Sequence, residues 1–514
     1  MSIRFPALAL VSALILAACS DDSPPTAPAR IPPAATLAIN PAVACTGATV
    51  PVIECQALVA LYNNTNGPAW TDAEGWGTTN PCRWQGVQCT EDDHGFVSDL
   101  DLQGKGLSGP LPPELGNLDH VGRIILHGNP LTGAIPPELG GLASVRAIRL
   151  SFSQLTAPLP VELTNIPTLE ILEIWGGTYE GTIPSEFGNF PALRWLTLEL
   201  GLTGTIPATL GNISTLTNLV LQNNDLTGPI PASFGNLSNL IELRLGSNAL
   251  TGSIPAELGN LTKLEELMLS NNNLTGPIPA TLGNLTSLVN LSASWNELSG
   301  PIPASLGNAS SLRGLFLWRN ALTGSIPPEL GNIPTLKYVW LNDNQLTGTV
   351  PASLGALALE TLRLDQNQLS GELPLSVAQL GETIADQSCA FAPGNVELFM
   401  PDDAAYRAAD TNGDGLICEL PIGTSADIGD NAAENLDELV PDPLTGGQAN
   451  ALKAKFQNAI DKADNGQYGA AINQMQSFLA QLGDMVAAGT LTPAQAEPFI
   501  EQAEWLIAVW AALV

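Results

Sequence analysis

The sequence predicts a solenoid of short parallel strands, an α/β stack that grows by adding units. Three observations lead there. Close copies of Leu264 to Ser287, LEELMLSNNNLTGPIPATLGNLTS, precede and follow it at a spacing of 24 residues. In each copy apolar residues hold the first, fourth and sixth positions, as Leu240, Leu243 and Leu245 do, and a strand turns such a set to one side. A unit this small cannot bury its own apolar side, so a core exists only where neighbours stack.

Twelve units run from Val97 to Glu382, beginning at Val97, Val121, Val145, Leu169, Leu193, Leu216, Leu240, Leu264, Leu288, Leu312, Leu336 and Leu359. The phase slips twice, before Leu202 in the fifth unit and around Ala356 to Ala358 in the eleventh. At the ninth position Asn129, Asn224, Asn248, Asn272, Asn296, Asn320, Asn344 and Asn367 are placed to bond backbone where the strand turns, giving a ladder of satisfied buried amides. The L-T-G-x-I-P run that follows uses Gly to relieve crowding and Pro to fix an extended path. On the frame L-x-x-L-x-L-x-x-N-x-L the array resembles a leucine-rich-repeat solenoid, and on L-T-G-x-I-P it resembles the plant-specific subclass. The resemblance implies a horseshoe with strands on its concave face, 3-10 or extended segments on its convex side, and ligand binding on the strands.

Residues 1–18 carry Arg4 and the apolar run ALALVSALILAA, too short for a good membrane span, and read as a secretory signal. Leu16-Ala17-Ala18-Cys19 resembles the lipobox of bacterial lipoproteins, which implies lipidation of Cys19 and a membrane anchor, with the outer membrane or cell surface as destination. Residues 19–44, rich in Pro and Ala, read as a tether. Residues 45–96 hold Trp70, Trp76, Trp84, Cys82 and Cys89 and form a cap, because an open solenoid end exposes core leucines and strand edges. The phrase PCRWQGVQC resembles the N-terminal cap of plant leucine-rich-repeat receptors. Apart from Cys19, the cysteines fall as near neighbours, Cys45 and Cys55, Cys82 and Cys89, Cys389 and Cys418, which suggests three disulfides in an oxidising compartment. A metal site in their place lacks C-x-x-C spacing and nearby histidine.

Residues 383–421 form a separate module. Asp410, Asn412, Asp414 and Gly415 match the opening of an EF-hand-type loop, whose alternating oxygens suit a hard cation, with the Leu416 carbonyl as a further ligand. Pro421 stands where the usual twelfth-position Glu belongs, and the acid present is Glu419. The run D-T-N-G-D-G-L-I-C-E after Tyr406, with Cys389 upstream, resembles the Excalibur type of extracellular calcium-binding module. That resemblance implies Ca2+ as a cofactor; the competing account is an Asx-rich turn stapled by Cys389 and Cys418. Residues 422–447 are an acidic linker. Residues 448–514 switch to helical spacing, with breaks at Asn465-Gly466 and from Gly489 to Pro493, and predict a three-helix bundle, a C-terminal all-α module.

A formal charge of −32 argues against nucleic acid as a partner, which requires clustered Lys and Arg. About half of the 18 Lys and Arg fall on the strand face, interleaved with acids such as Asp99, Asp101, Glu173, Glu360 and Asp365, and most read as cross-strand pairs. Exposed aromatics on a solvated strand need another account, since Trp, Tyr and Arg dominate binding hot spots. One group is Phe152, Trp175 and Trp195, where the Asn ladder lapses to Ser153 and Gly177. The other is Trp295, Phe316, Trp318, Tyr338 and Trp340, flanked by Arg313, Arg319 and Asp343.

No catalytic constellation is evident: His94, His120 and His127 accompany no nucleophile elbow, phosphate loop or zinc motif, and Asp99 with Asp101 beside Arg123 reads as an ion pair before an acid/base pair. The sequence therefore predicts a recognition protein of the cell surface, not an enzyme. Its ligand is a protein, peptide or polysaccharide, and resemblance to plant inhibitors of pectin-degrading enzymes also allows an inhibitor role. The rival class is a structural or adhesive surface spacer stabilised by calcium, with no dedicated ligand, and a glycan-active enzyme is the remaining alternative. Oligomeric state is not legible.

Overall fold

Leucines alternating with polar residues make a strand at the head of each unit, and the constant period lays equivalent positions side by side. In the computed structural model, which describes residues 38–91, 94–155, 158–176, 181–381, 389–390, 395, 397–399, 416–417, 420–421, 452, 455, 458, 459, 462 and 468–488, Leu243 pairs with Leu267, Leu267 with Leu291, Leu291 with Leu315, Leu315 with Val339 and Val339 with Leu362. The main sheet starts as an antiparallel hairpin, Val87–Glu91 with His94–Asp101, and is parallel from Arg123–Gly133 onward.

The L-T-G run builds a second parallel ladder from Thr227–Pro229 to Glu397–Phe399. A 3-10 turn of five residues then closes each of the first eleven units, from Pro113–Asn117 to Ala352–Ala356, and an α-helix, Leu375–Gly381, closes the twelfth. Successive turns touch because they contain glycine: a Cβ on Gly259 would meet the Thr281 carbonyl oxygen at 2.4 Å. Between these three sides lie the leucines, including Leu240, Leu243, Leu245, Leu250, Leu258 and Leu261 of one unit, all without exposed surface. Each contributes about 1.5–3 kcal/mol by leaving water. The solenoid predicted from the period is therefore present.

Asparagines at the ninth position bridge units as expected. Asn272 accepts from the Leu250 amide at 3.0 Å and donates to the Leu245 and Leu269 carbonyls at 3.1 and 3.0 Å, so backbone groups that the turn leaves without strand partners are satisfied. The same pattern continues past Glu382, where the repeat count ends the array. Buried Asn395 accepts from the Leu369 amide at 2.9 Å and donates to the Leu364 carbonyl at 2.9 Å. Strands Cys389–Ala390 and Glu397–Phe399 extend the two ladders. The boundary at 382/383 thus falls inside a further turn of the solenoid, which lacks the L-x-x-L-x-L frame and was invisible to a pattern match.

At the other end, helix Val52–Asn64 packs on the 3-10 turn of the first unit, Pro113–Asn117, with Leu58 and Leu61 fully buried, while Cys45–Cys55 and Cys82–Cys89 are disulfide-bonded. Trp76 bridges Trp70 and Trp84, at ring separations of 4.9 and 4.8 Å. Glu54, almost fully buried, accepts from the Val97 amide at 2.7 Å and faces His120 Nδ1 at 3.2 Å, which ties the cap to the head of the sheet. In the C-terminal region helix Tyr468–Ala487 buries Ala471, Met475, Phe478 and Leu482, four residues of one stripe. The third predicted helix, and the signal and tether before residue 38, lie outside the described residues.

Candidate functional site

The strand face gives its third and fifth positions to solvent, and in the units starting at Leu288, Leu312 and Leu336 those positions and the following turn gather five aromatic rings. Trp295 meets Trp318 edge to face at 5.4 Å, Trp318 meets Trp340 at 6.2 Å, Trp340 meets Phe316 at 5.5 Å and Phe316 lies nearly parallel to Tyr338 at 6.5 Å. Register places them: Phe316 pairs with Trp340, and Gly314 with Tyr338. The rings form one band running obliquely across three strands, from the turn at Trp295 to the strand start at Tyr338. Pairs of this geometry contribute about 0.5–1.5 kcal/mol each beyond burial.

Gly314 makes room for the band. A Cβ there would lie 2.4 Å from Asn290 Oδ1 and 2.5 Å from Phe316 Cε2, so Phe316 folds flat over the space that a side chain would occupy. Sequence reading missed this residue. Its signal was a glycine at a solvent-facing strand position that Glu266, Asn290 and Tyr338 fill in other units.

The eighth position of these units adopts the left-handed backbone: Asn223, Ser247, Asn271, Trp295, Arg319, Asp343 and Gln366 have φ between 53° and 59°. Asn tolerates that region through its short polar side chain, whereas the steric cost to other residues is about 1–2 kcal/mol. Trp295 and Arg319 bear it and touch, with Arg319 Cζ 3.9 Å from the Trp295 centroid and 5.7 Å from that of Trp318. Arg319 also pairs with Asp343 at 3.4 Å. Trp295 is the most exposed of the five rings, at 46%.

Polar groups frame the band. Trp340 Nε1 donates to Thr361 Oγ1 at 2.9 Å. The Lys337 ammonium and the Tyr338 hydroxyl both donate to Glu360. Hydrogen bonds from Lys337 and Tyr338 hold the Glu360 carboxyl below the ordinary glutamate range, and the same bond to Glu360 raises the Tyr338 phenol. Burial raises the Asp365 carboxyl against the pull of Arg363 at 3.3 Å. Seven of the eight residues expected here, Trp295, Phe316, Trp318, Arg319, Tyr338, Trp340 and Asp343, are brought into contact; Arg313 stands beside them with no ion pair among the described residues, its charge acting on Tyr338 and Glu360.

The other predicted group is not assembled. Phe152 is buried in the core at 3% exposure, because its strand continues to Leu155 and turns the ring inward; it is not a surface residue. Trp175 contacts His127 at 5.5 Å, and Trp195 donates from Nε1 to Thr197 Oγ1 at 2.9 Å, but no ring of the three touches another. Ser153 and Gly177 offer no described side chain. Burial, then the Arg149 charge, lowers the His127 imidazole, and burial raises Glu173 against its partner Arg149 at 2.6 Å. Arg123 bonds Asp99 at 2.6 Å, the cross-strand pair expected of them. Of the calcium candidates only Leu416 is described, in the short hairpin Leu416–Ile417 with Leu420–Pro421; Asp410, Asn412, Asp414 and Glu419, like Cys418 and Cys19, lie outside the described residues.

Comparison with known proteins gives matches in three segments. The family described as Leucine-rich repeat region matches residues 179–325, Leucine Rich Repeat matches 335–357 and 358–380, and FIMAH domain matches 442–508, so the last begins inside the stretch read as an acidic linker. Leucine-rich repeat protein 1 of Oryza sativa subsp. indica is 43% identical over 70 residues, 13% of this chain and 32% of that protein. Leucine-rich repeat protein 1 of Arabidopsis thaliana is 40% identical over 70 residues, 13% and 31% of the two chains. The chain thus spans about a third of the length of these curated relatives. Among solved structures, PEPR1–AtPEP1 aligns at 31% identity and TM-score 0.55, covering 68% of this chain and 51% of that one. The Arabidopsis receptor kinase HAESA, in complex with the peptide hormone IDA and the co-receptor SERK1, aligns at 31% identity and TM-score 0.51, covering 68% and 60%. The chain carries leucine-rich repeats and is similar in structure to plant receptor ectodomains built from them.

Proposed function

We propose that the chain is a cell-surface recognition protein that captures a protein, peptide or polysaccharide on the strand face of its repeats, at the aromatic band from Trp295 to Tyr338. The observation that carries this reading is the pair Trp295 and Arg319, set in left-handed turns that the other units fill with the smaller polar residues Asn, Ser, Asp or Gln. Backbone cost accepted at an exposed position points to use of that position, and a spacer has none for it. Support for a peptide or protein ligand comes from the HAESA complex, whose aligned repeats accompany a peptide hormone and a co-receptor. Binding, not turnover, is the activity proposed. Delivery follows from the signal at residues 1–18 and from lipidation of Cys19, with the outer membrane or cell surface as the site of display.

The test is a glycan and protein array probed with the full-length chain. Changing Trp318 and Trp340 together to Ala should abolish capture, a loss of at least about 2 kcal/mol if these are hot spots, with secondary structure by circular dichroism unchanged. Capture that survives both changes overturns the band as the site.

Calcium binding at Asp410, Asn412, Asp414, Leu416 and Glu419 belongs to the same proposal, because a donor set of carboxylates, one amide and a carbonyl suits a hard cation. Saturating Ca2+ should raise the melting temperature over chelator, since a ligand bound only to the folded state stabilises it, and Asp414→Ala should abolish the difference. An identical melt with and without Ca2+ removes the metal from the reading.

A further inference from the structure

We infer that the ligand of the aromatic band is an acidic polysaccharide, with a sugar carboxylate held by Arg313 and the sugar rings laid on the neighbouring aromatic faces. This rests on the band being the ligand site. Of nine cationic side chains on the strand face, eight have a carboxylate within 4 Å: Arg123, Arg146, Arg149, Arg194, Arg244, Arg319, Lys337 and Arg363. Among the described residues Arg313 alone does not, and it is exposed. Glu360, the carboxylate on which its charge acts, is hydrogen-bonded by Lys337 and Tyr338.

Position makes that vacancy costly. The Lys337 and Tyr338 amides both bond the Arg313 carbonyl at 2.9 Å, so Arg313 and Lys337 hold the same place on adjacent strands, two like charges side by side. Lys337 holds Glu360 in an ion pair, whereas Arg313 acts on that carboxylate only from beyond ion-pair distance. A planar guanidinium takes a carboxylate through two parallel hydrogen bonds, and an incoming anion relieves the repulsion as it forms them. From Leu312 onward the strand face holds Arg313, Arg319, Lys337 and Arg363 against Asp343, Glu360 and Asp365, one positive charge in excess on a chain of net charge −32. Screening confines fields to about 8 Å at physiological salt, so a polyanion repelled elsewhere meets a locally cationic surface here.

A sugar fits the rest of the band better than a peptide does. An extended peptide gains affinity by adding its backbone to a sheet edge, but these strands are interior, and their amides and carbonyls are spent on the ladder. What the face offers instead is ring surface, together with the Nε1 groups of Trp295 and Trp318, for which no acceptor lies in reach among the described residues. Pyranose rings supply apolar faces for the former and oxygen acceptors for the latter.

The experiment measures retention of the full-length chain, in chelator and at low salt, on immobilised alginate, polygalacturonate and hyaluronan, with neutral dextran and cellohexaose and with poly-L-glutamate as comparisons. Retention is expected on at least one uronate polymer, weakened about tenfold by Arg313→Gln, largely restored by Arg313→Lys, and absent on the neutral sugars. Equal retention on poly-L-glutamate makes the ligand an acidic peptide and overturns the inference. So does retention indifferent to Arg313→Gln, or no retention on any uronate polymer. None of these results touches the proposed function, which falls only with the paired tryptophan test.

Discussion

Replacing Gly314 with alanine is expected to weaken capture at the aromatic band about tenfold and to lower the melting temperature by a few degrees, although the backbone at this position suits any residue. The added methyl would sit 2.5 Å from Phe316 Cε2 and 2.4 Å from Asn290 Oδ1. Asn290 can yield by giving up its 2.8 Å bond to Glu266, but Phe316 is held between Trp340 at 5.5 Å and Tyr338 at 6.5 Å and moves only by disturbing both. Overpacking of this kind costs about 1–3 kcal/mol. Near-ultraviolet circular dichroism and tryptophan fluorescence should report the shift, since Trp340 leaves its edge-to-face contact. Gly314→Ala combined with Phe316→Ala separates the two effects: it should recover most of the melting temperature and none of the capture. If Gly314→Ala alone leaves fluorescence and capture unchanged, Phe316 and its neighbours are not a shaped surface.

The solenoid was legible because its determinants repeat. Leucine at three fixed positions and Asn at the ninth state the same physical requirement in each unit, burial of one strand side and satisfaction of the turn, and every copy confirms the rest. Asn395 shows the limit of that method. It does the work of the ninth-position Asn, yet its unit lacks the leucine frame and holds Cys389 and Phe399 instead, so only backbone pairing reveals it.

Site residues divide the same way. Trp318 and Trp340 could be picked out because a strand position that faces solvent has no need of tryptophan. Phe152 was misread by that rule: its strand runs on to Leu155, and the extra length turns the ring into the core. Gly314 could not be found by looking for functional side chains, since its contribution is the absence of one. Arg313 was named for its place on the strand face, but that it has no carboxylate within ion-pair distance among the described residues, while Glu360 is bonded by Lys337 and Tyr338, is something no spacing rule shows.

Asn224→Ala is expected to be the most destabilising single change in the repeats, about 3–5 kcal/mol, because five backbone groups lose a partner together and buried orphans cost about 1–3 kcal/mol each before relaxation or water entry. Its Oδ1 accepts from the Leu200 and Leu202 amides at 3.0 and 2.9 Å, and its Nδ2 donates to the carbonyls of Leu198, Leu221 and Gln222 at 2.7, 2.9 and 3.1 Å. The fifth unit is one residue short before Leu202 and has no ninth-position Asn of its own, so Asn224 is the one ladder asparagine that bonds that turn. Contacts in a solenoid run only to neighbours, and loss of one interface should split its cooperativity rather than weaken it throughout. Urea unfolding should therefore show a second transition or a reduced m-value. Hydrogen exchange should quicken first at the Leu200 and Leu202 amides. Asn224→Asp discriminates further: a carboxylate can accept from both amides but cannot donate to three carbonyls, so it should be as damaging as alanine at neutral pH and should recover in part as acid protonates it, since a carboxylic acid donates one hydrogen bond. A single unshifted transition in Asn224→Ala would show that water replaces the side chain without loss, and that the ladder follows from the fold instead of holding it.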